Sequence, residues 1–96
     1  MKTTIILTAP DGVRTLGMRA SATPFREQAE RLLKANYAVT LDFAGIDATQ
    51  GFLDELVGQL VIVHGRKVLS KLSFQNCTDD VKAIIRFVIN DRVQRS

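Results

Sequence analysis

The run Tyr37–Phe43 sets Val39, Leu41 and Phe43 against Ala38, Thr40 and Asp42, with Asp42 its one charge. So little charge on a β-favouring run predicts a central, mostly buried strand and not a solvated rim. A central strand needs neighbours on both sides. Thr3–Thr8, rich in β-branched residues, and Lys71–Gln75, with Leu72 and Phe74 on one face, are the runs able to supply them. A further strand is expected over Val13–Met18, returning from a turn at Pro10-Asp11-Gly12 and forming a hairpin with the first.

Helical stripes separate these runs. Thr23 followed by Pro24 predicts a helix start, with Phe25, Ala29, Leu32 and Leu33 as the buried face and Asn36 as a left-handed stop. Thr49 is placed to cap a second helix whose stripe is Phe52, Leu53, Leu56, Val57 and Leu60, ending at His64-Gly65. Asp54, Glu55 and Gln59 fall off that stripe and are expected to face solvent or a partner. Thr78 caps a third helix, with Asp79 and Asp80 at its positive end and Val81, Ile84, Ile85 and Val88 facing inward.

The order is therefore β-β-α-β-α-β-α. It implies an α/β fold with a mixed four-stranded sheet, three helices packed on it, right-handed crossovers and one antiparallel edge pairing. Ninety-six residues suffice for a single domain spanning 1–96, with a core that needs no disulfide. The one cysteine, Cys77, cannot pair internally. No signal peptide is read at Met1–Thr4, so a reducing cytoplasm is the expected compartment. The longest apolar run, Leu60–Val63, is far below the ~20 residues of a membrane span.

Charge and motif content narrow the function classes. The formal net charge is +3. After residue 81, Lys82, Arg86, Arg92 and Arg95 meet only Asp91, which reads as a solvated helix face. A nucleic-acid stripe would be denser and interleaved with aromatics, so nucleic acid is not the expected partner. No glycine-rich phosphate loop follows the first strand. His64 and Cys77, the lone residues of their kinds, lie on different elements, whereas a zinc site needs three or four ligands. His64 reads as a helix-terminal residue and Cys77 as a packed residue at a strand-to-helix turn. Asp42 and Asp47 bracket the exit of the central strand, where ligands of α/β sheets bind. Structural roles suit both. No catalytic set, cofactor or metal is expected, and the chain reads as a non-enzyme.

Leu41-Asp42-Phe43-Ala44-Gly45-Ile46-Asp47, followed by Gly51-Phe52-Leu53-Asp54-Glu55-Leu56-Val57-Gly58, resembles the STAS-like family of unknown function. That family lies within the superfamily of sulfate-transporter and anti-sigma-factor-antagonist domains. Leu72–Asn76, with Val81 beyond, is similar to the strand and helix start that follow in it, and Arg26–Leu33 to its first helix. The resemblance implies a compact α/β regulatory domain of bacterial or phage origin. In antagonist members, the loop after a central strand and the next helix dock a histidine-kinase-like ATPase. Phosphorylation of a serine at that helix start breaks the complex, because a dianion inside the contact repels neighbouring carboxylates. Aligned on Gly51, Gln50 stands at that serine and Ala48 at an aspartate usual in the motif. Thr49 remains as a possible phosphoacceptor, but helix capping is the better explanation for it.

The resulting expectation is a regulatory, signalling protein-interaction module. Asp47, Thr49, Gln50, Asp54 and Glu55, on the loop and helix 47–59, would contact a histidine-kinase-like ATPase or a transcriptional regulator. The alternative is a small-ligand or nucleotide sensor using the Asp42–Gly51 loop. The oligomeric state stays open.

Overall fold

The computed structural model describes residues 1–9 and 15–95. In chain order the elements are β1 (Lys2–Ile6), β2 (Thr15–Leu16), α1 (Arg19–Lys34), β3 (Ala38–Asp42), β4 (Asp47–Ala48) and α2 (Gln50–Leu53). A π-helical turn (Asp54–Gly58), α3 (Gln59–His64), a 3-10 helix (Arg66–Lys71), β5 (Leu72–Gln75) and α4 (Asp79–Arg95) follow.

The strands form a three-stranded sheet, β1-β3-β5, and a two-stranded ladder, β2-β4. Every pairing is parallel: Ile5 lies opposite Leu41 and Leu41 opposite Phe74, while Leu16 lies opposite Ala48. This corrects the single mixed four-stranded sheet read from the sequence. The expected Pro10–Gly12 turn falls outside the described residues. Of the described residues of the run Val13–Met18, Thr15 and Leu16 are strand, and they pair with β4 instead of closing an antiparallel hairpin on β1. The physical reason is burial. Leu16 and Ala48, side by side, are both buried in the common core, which a return along the edge of β1 would not achieve.

β3 is central, as its low charge implies, but it is buried on one face only. Val39 and Leu41 are buried while Ala38, Thr40 and Asp42 are half-exposed. Ile5 and Leu72 join that inner face, and Thr4, Ile6, Ser73 and Gln75 leave the outer one open. All-parallel sheets are usually covered on both sides. Here the helices stack on one side, with the α2–π–α3 rod packed between α1 and α4.

Two helix starts match expectation and one does not. Thr49 caps α2, its Oγ1 accepting from Phe52 N at 3.3 Å, and Thr78 Oγ1 accepts from Val81 N at 3.1 Å at the start of α4. α1 instead begins at Arg19, with no side-chain cap, and carries Pro24 inside it. A proline there forfeits a backbone hydrogen bond. The extra turn ahead of it nevertheless forms because it carries Ala22, fully buried, into the core. Asn36 has φ +70, the expected left-handed stop, and the second rod ends at Gly65.

The stripe of the second helix is buried throughout: Phe52, Leu53, Leu56, Val57 and Leu60, joined by Val61, have no exposed surface. These residues step by four, in two columns. An α-helix turns about 100° per residue, so each four-residue step overshoots by about 40°. The π turn at Asp54–Gly58, bonded i→i+5, is underwound and takes back part of that drift. Both columns thus keep facing the core, at the cost of dividing the expected single helix in two.

Candidate functional site

The end of the sheet at which β3 and β5 terminate is built by short-range hydrogen bonding. Asp42 Oδ1 accepts from Ala44 N at 2.8 Å and from Asn76 Nδ2 at 3.0 Å, tying the exits of β3 and β5 together. Ala44 (φ +53) and Gly45 (φ +74) then form a tight turn closed by Ile46 N donating to Phe43 O at 2.8 Å. Positive φ at both central residues is the type I′ geometry, which suits Gly45 and strains Ala44. Gly45 N donates to Asn76 O at 2.8 Å, so the turn is pinned to β5 as well.

From this turn the chain runs through β4 into the start of α2, where the sequence-predicted contact residues sit. Asp47, Thr49 and Gln50 are exposed. Asp47 Oδ1 accepts from Thr78 Oγ1 at 2.7 Å, joining β4 to the start of α4. Thr49 donates its hydroxyl hydrogen to Gly17 O at 2.9 Å while its oxygen caps Phe52 N, and Thr49 N donates to Leu16 O at 2.9 Å. The two capping threonines therefore work alike. Each hydroxyl caps one helix and donates to a neighbouring segment, so the rim is held in one arrangement.

Asp54 and Glu55, expected to face solvent or a partner, are instead drawn into ion pairs. Asp54 Oδ1 is 3.2 Å from Arg92 Nη2 on α4, and its Oδ2 is 3.8 Å from Arg19 Nη2 on α1. Glu55 Oε2 accepts from Arg26 Nε at 2.8 Å, and Arg26 Nη1 also donates to Glu30 Oε1 at 2.8 Å. The hydrogen bonds to Glu55 and then Glu30 raise the Arg26 pKa further, keeping it charged. Asp54 and Glu55 side chains are only 16% and 15% exposed. They act as clasps between the middle rod and its two flanking helices. Gln59 is half-buried.

The π turn explains the placement of Arg92. Gly58 lies in that turn, and a Cβ there would stand 3.2 Å from Arg92 Nε and 3.3 Å from Val88 Cγ1. Arg92 continues the buried stripe Val81, Ile85, Val88 by one further turn, so it is not part of a solvated basic face. The signal was in the spacing, since residue 92 follows 88 at a helical step. Lys82, Arg86 and Arg95 do remain exposed.

Among the described residues no three His, Cys, Asp or Glu side chains gather to hold a metal ion. His64 and Cys77 sit at the far end of α3 and at the β5–α4 junction respectively. Burial pushes the Cys77 thiol up, outweighing the pull of Lys82, so it is a protonated thiol near neutrality. No described helix is long and apolar enough to cross a membrane.

Compared with known proteins, residues 21–82 match the family model described as a STAS-like domain of unknown function (DUF4325). The matched span runs from α1 to the first turns of α4 and holds the whole rim. No curated protein and no solved structure matches the chain.

Proposed function

Because the chain belongs to the STAS-like domain family of unknown function, we propose that it is a regulatory, non-catalytic domain that binds a protein partner through the rim at the start of α2. The partner class is a histidine-kinase-like ATPase or a transcriptional regulator. The observation carrying this reading is the contrast within the rim. Asp47, Thr49 and Gln50 are exposed, and Asp47 and Thr49 are also held by hydrogen bonds to neighbouring segments, whereas Asp54 and Glu55 are held by arginines of the same chain. Asp47 and Gln50 accordingly make the contact, and Asp54 and Glu55 set the shape behind it. With their rotamers already fixed, Asp47 and Thr49 lose little side-chain entropy on binding. Phosphate on Thr49 would remove the hydroxyl hydrogen donated to Gly17 and crowd the cap, so modification there would reshape the rim rather than only add charge.

Affinity capture from the native host lysate, with mass spectrometry of the bait and what it retains, tests this reading. Wild-type bait should retain a histidine-kinase-like ATPase or a regulator in stoichiometric amount. Gln50→Arg, an exposed substitution that touches no described hydrogen bond, should reduce that retention about tenfold or more. Equal retention by the two baits would remove the rim from the interface.

The small-ligand alternative has its own observation. An open hollow of ≈ 490 Å³ lined by Ala44, Gly45, Asn76, Cys77 and Thr78 lies at the strand ends where α/β sheets bind ligands. A thermal-shift series with nucleotides distinguishes it: ligand at 100 times its dissociation constant stabilises by about 2.7 kcal/mol. A flat series removes nucleotides as the ligand class.

A further inference from the structure

A second surface lies away from the rim's contact residues, along the outer strand of the sheet. β5 is an end strand, so among the described residues nothing pairs with its outer side. Phe43 N donates to Gln75 O at 2.9 Å, which turns the backbone of Gln75 toward β3. Alternate residues of a parallel ladder face alike, so Ser73 also bonds inward while Leu72 C=O and Phe74 N–H and C=O are presented to the open edge, Leu72 N–H being taken by Leu69 O. Such an edge is a ready template for another strand.

Beside that edge runs an open groove of ≈ 570 Å³ between β5 and α4. Phe74, Ile85 and Ile89 form its apolar floor, and Lys82 and Arg86 its rim. No acidic side chain lines it. The four cations of α4 divide sharply. Arg92 and Arg95 are paired with Asp54 and Asp91, whereas neither Lys82 nor Arg86 has an ion-pair partner among the described residues. One turn apart on the helix, these two cations stand over apolar surface beside a free strand edge.

We propose that the β5 edge and its groove receive an extended segment of another protein, in which apolar and acidic side chains are interspersed, as an added strand of the sheet. The backbone of the segment would bond to Leu72 C=O and to both backbone groups of Phe74. Its inward side chains would cover Phe74, Ile85 and Ile89, and its carboxylates would meet Lys82 and Arg86. Strand addition of this kind takes affinity from main-chain hydrogen bonds and selectivity from the pockets for alternate side chains. A second copy of this chain is disfavoured as the occupant, because edge-to-edge pairing would bring two Lys82–Arg86 sets together. A nucleic acid would set its phosphates over an apolar floor and leave the strand edge unused.

Fluorescence anisotropy with a short fluorescein-labelled peptide tests the proposal on the full chain; valine and aspartate take turns at its odd positions, so that both face α4, and threonine fills the even ones. Saturable binding is expected, with the Phe74 amide resonance shifting in the ¹⁵N–¹H spectrum. Lys82→Glu with Arg86→Glu, both exposed, should weaken binding about tenfold or more while circular dichroism stays unchanged. N-methylation of alternate peptide amides in the register facing β5 should abolish binding, and valine–lysine peptide should not bind. Gln50→Arg should leave the titration unchanged, which separates this surface from the rim. The proposal is overturned by absence of binding. It also falls if N-methylation in the register facing β5 has no effect, or if an oligonucleotide binds at the same groove more tightly than the peptide.

Discussion

Arg92 reaches from α4 to Asp54 across the one turn of the middle rod that is π-helical, with Nη2 3.2 Å from Oδ1 and Gly58 directly beneath. Underwinding of that turn, absence of a Cβ at residue 58 and a cation at the end of an otherwise apolar stripe are one arrangement. The pair is mostly shielded from solvent, so removing one partner strands the other. Arg92→Ala or Asp54→Ala should each destabilise by about 1–3 kcal/mol in urea unfolding. The double-mutant cycle should return a coupling of about 1 kcal/mol. Zero coupling would assign the effect of Arg92 to packing alone.

Gly58 and Gly51 should respond in opposite directions to alanine. At residue 58 the new methyl meets Arg92 Nε at 3.2 Å and Val88 at 3.3 Å, and overpacking of this kind costs about 1–3 kcal/mol. At residue 51 the nearest atoms are 3.9 Å away, so Gly51→Ala should stabilise by about 0.5–1 kcal/mol through helix propensity. Thermal melts of the two variants decide it. A stabilised Gly58→Ala would show that Arg92 moves aside freely.

Ala44 is a methyl-bearing residue at φ +53 beside Gly45. Ala44→Gly should relieve left-handed strain worth about 1 kcal/mol, less what the freer unfolded chain gains. A small rise in urea midpoint is expected, and a fall would show that the Ala44 methyl packs usefully.

Thr49→Ala should cost about 1 kcal/mol as a lost helix cap, and Thr49→Ser should restore most of it because the hydroxyl geometry is kept. Thr78→Ala should cost at least as much, since its hydroxyl donates to the Asp47 carboxylate where that of Thr49 donates to a neutral carbonyl. Chemical denaturation of the four proteins, wild type included, ranks these effects directly.

Cys77 should alkylate with a pH midpoint above that of a free thiol, because burial disfavours its thiolate. Lys82 pulls in the opposite direction, so Lys82→Gln should raise the midpoint further. Folding favours the protonated form. The associated stability is therefore full below the free-thiol pKa and is lost as pH climbs through the higher folded value. Iodoacetamide rates from pH 7 to 10 provide the measurement.

Local features were legible in the chain and long-range ones were not. Thr49, Thr78, Asn36 and the stripe at residues 52–60 act through neighbours within a turn, and each stands where its spacing indicates. Thr23-Pro24 looked like a helix start because proline favours that position. Burial of Ala22 overrode the preference and moved the start to Arg19. The run Val13–Met18 alternates too weakly to select its partner, and its short strand pairs with a segment far along the chain. Asp54 and Glu55 looked solvated because arginines from two other helices find them only once the helices are packed. For the π turn, strict four-residue spacing of the apolar pairs was the available sign. The candidate contacts divide on the same line. Asp47, Thr49 and Gln50 are exposed as read, and the two acids are not.

The exclusively parallel pairing also bears on how the chain reaches this state. Among the described residues every ladder joins partners more than thirty positions apart, so no two of these strands can zip from a shared turn. Loop-closure entropy must be met before any strand contact returns free energy. Helical segments form on faster timescales than such distant pairings, and the sheet waits on their docking. Until β3 finds both neighbours and the helices dock on it, Val39 and Leu41, with Phe43 just beyond the strand, stay uncovered in a nascent chain. Crowding and chaperone supply should therefore govern the yield of native protein more strongly than the final stability does.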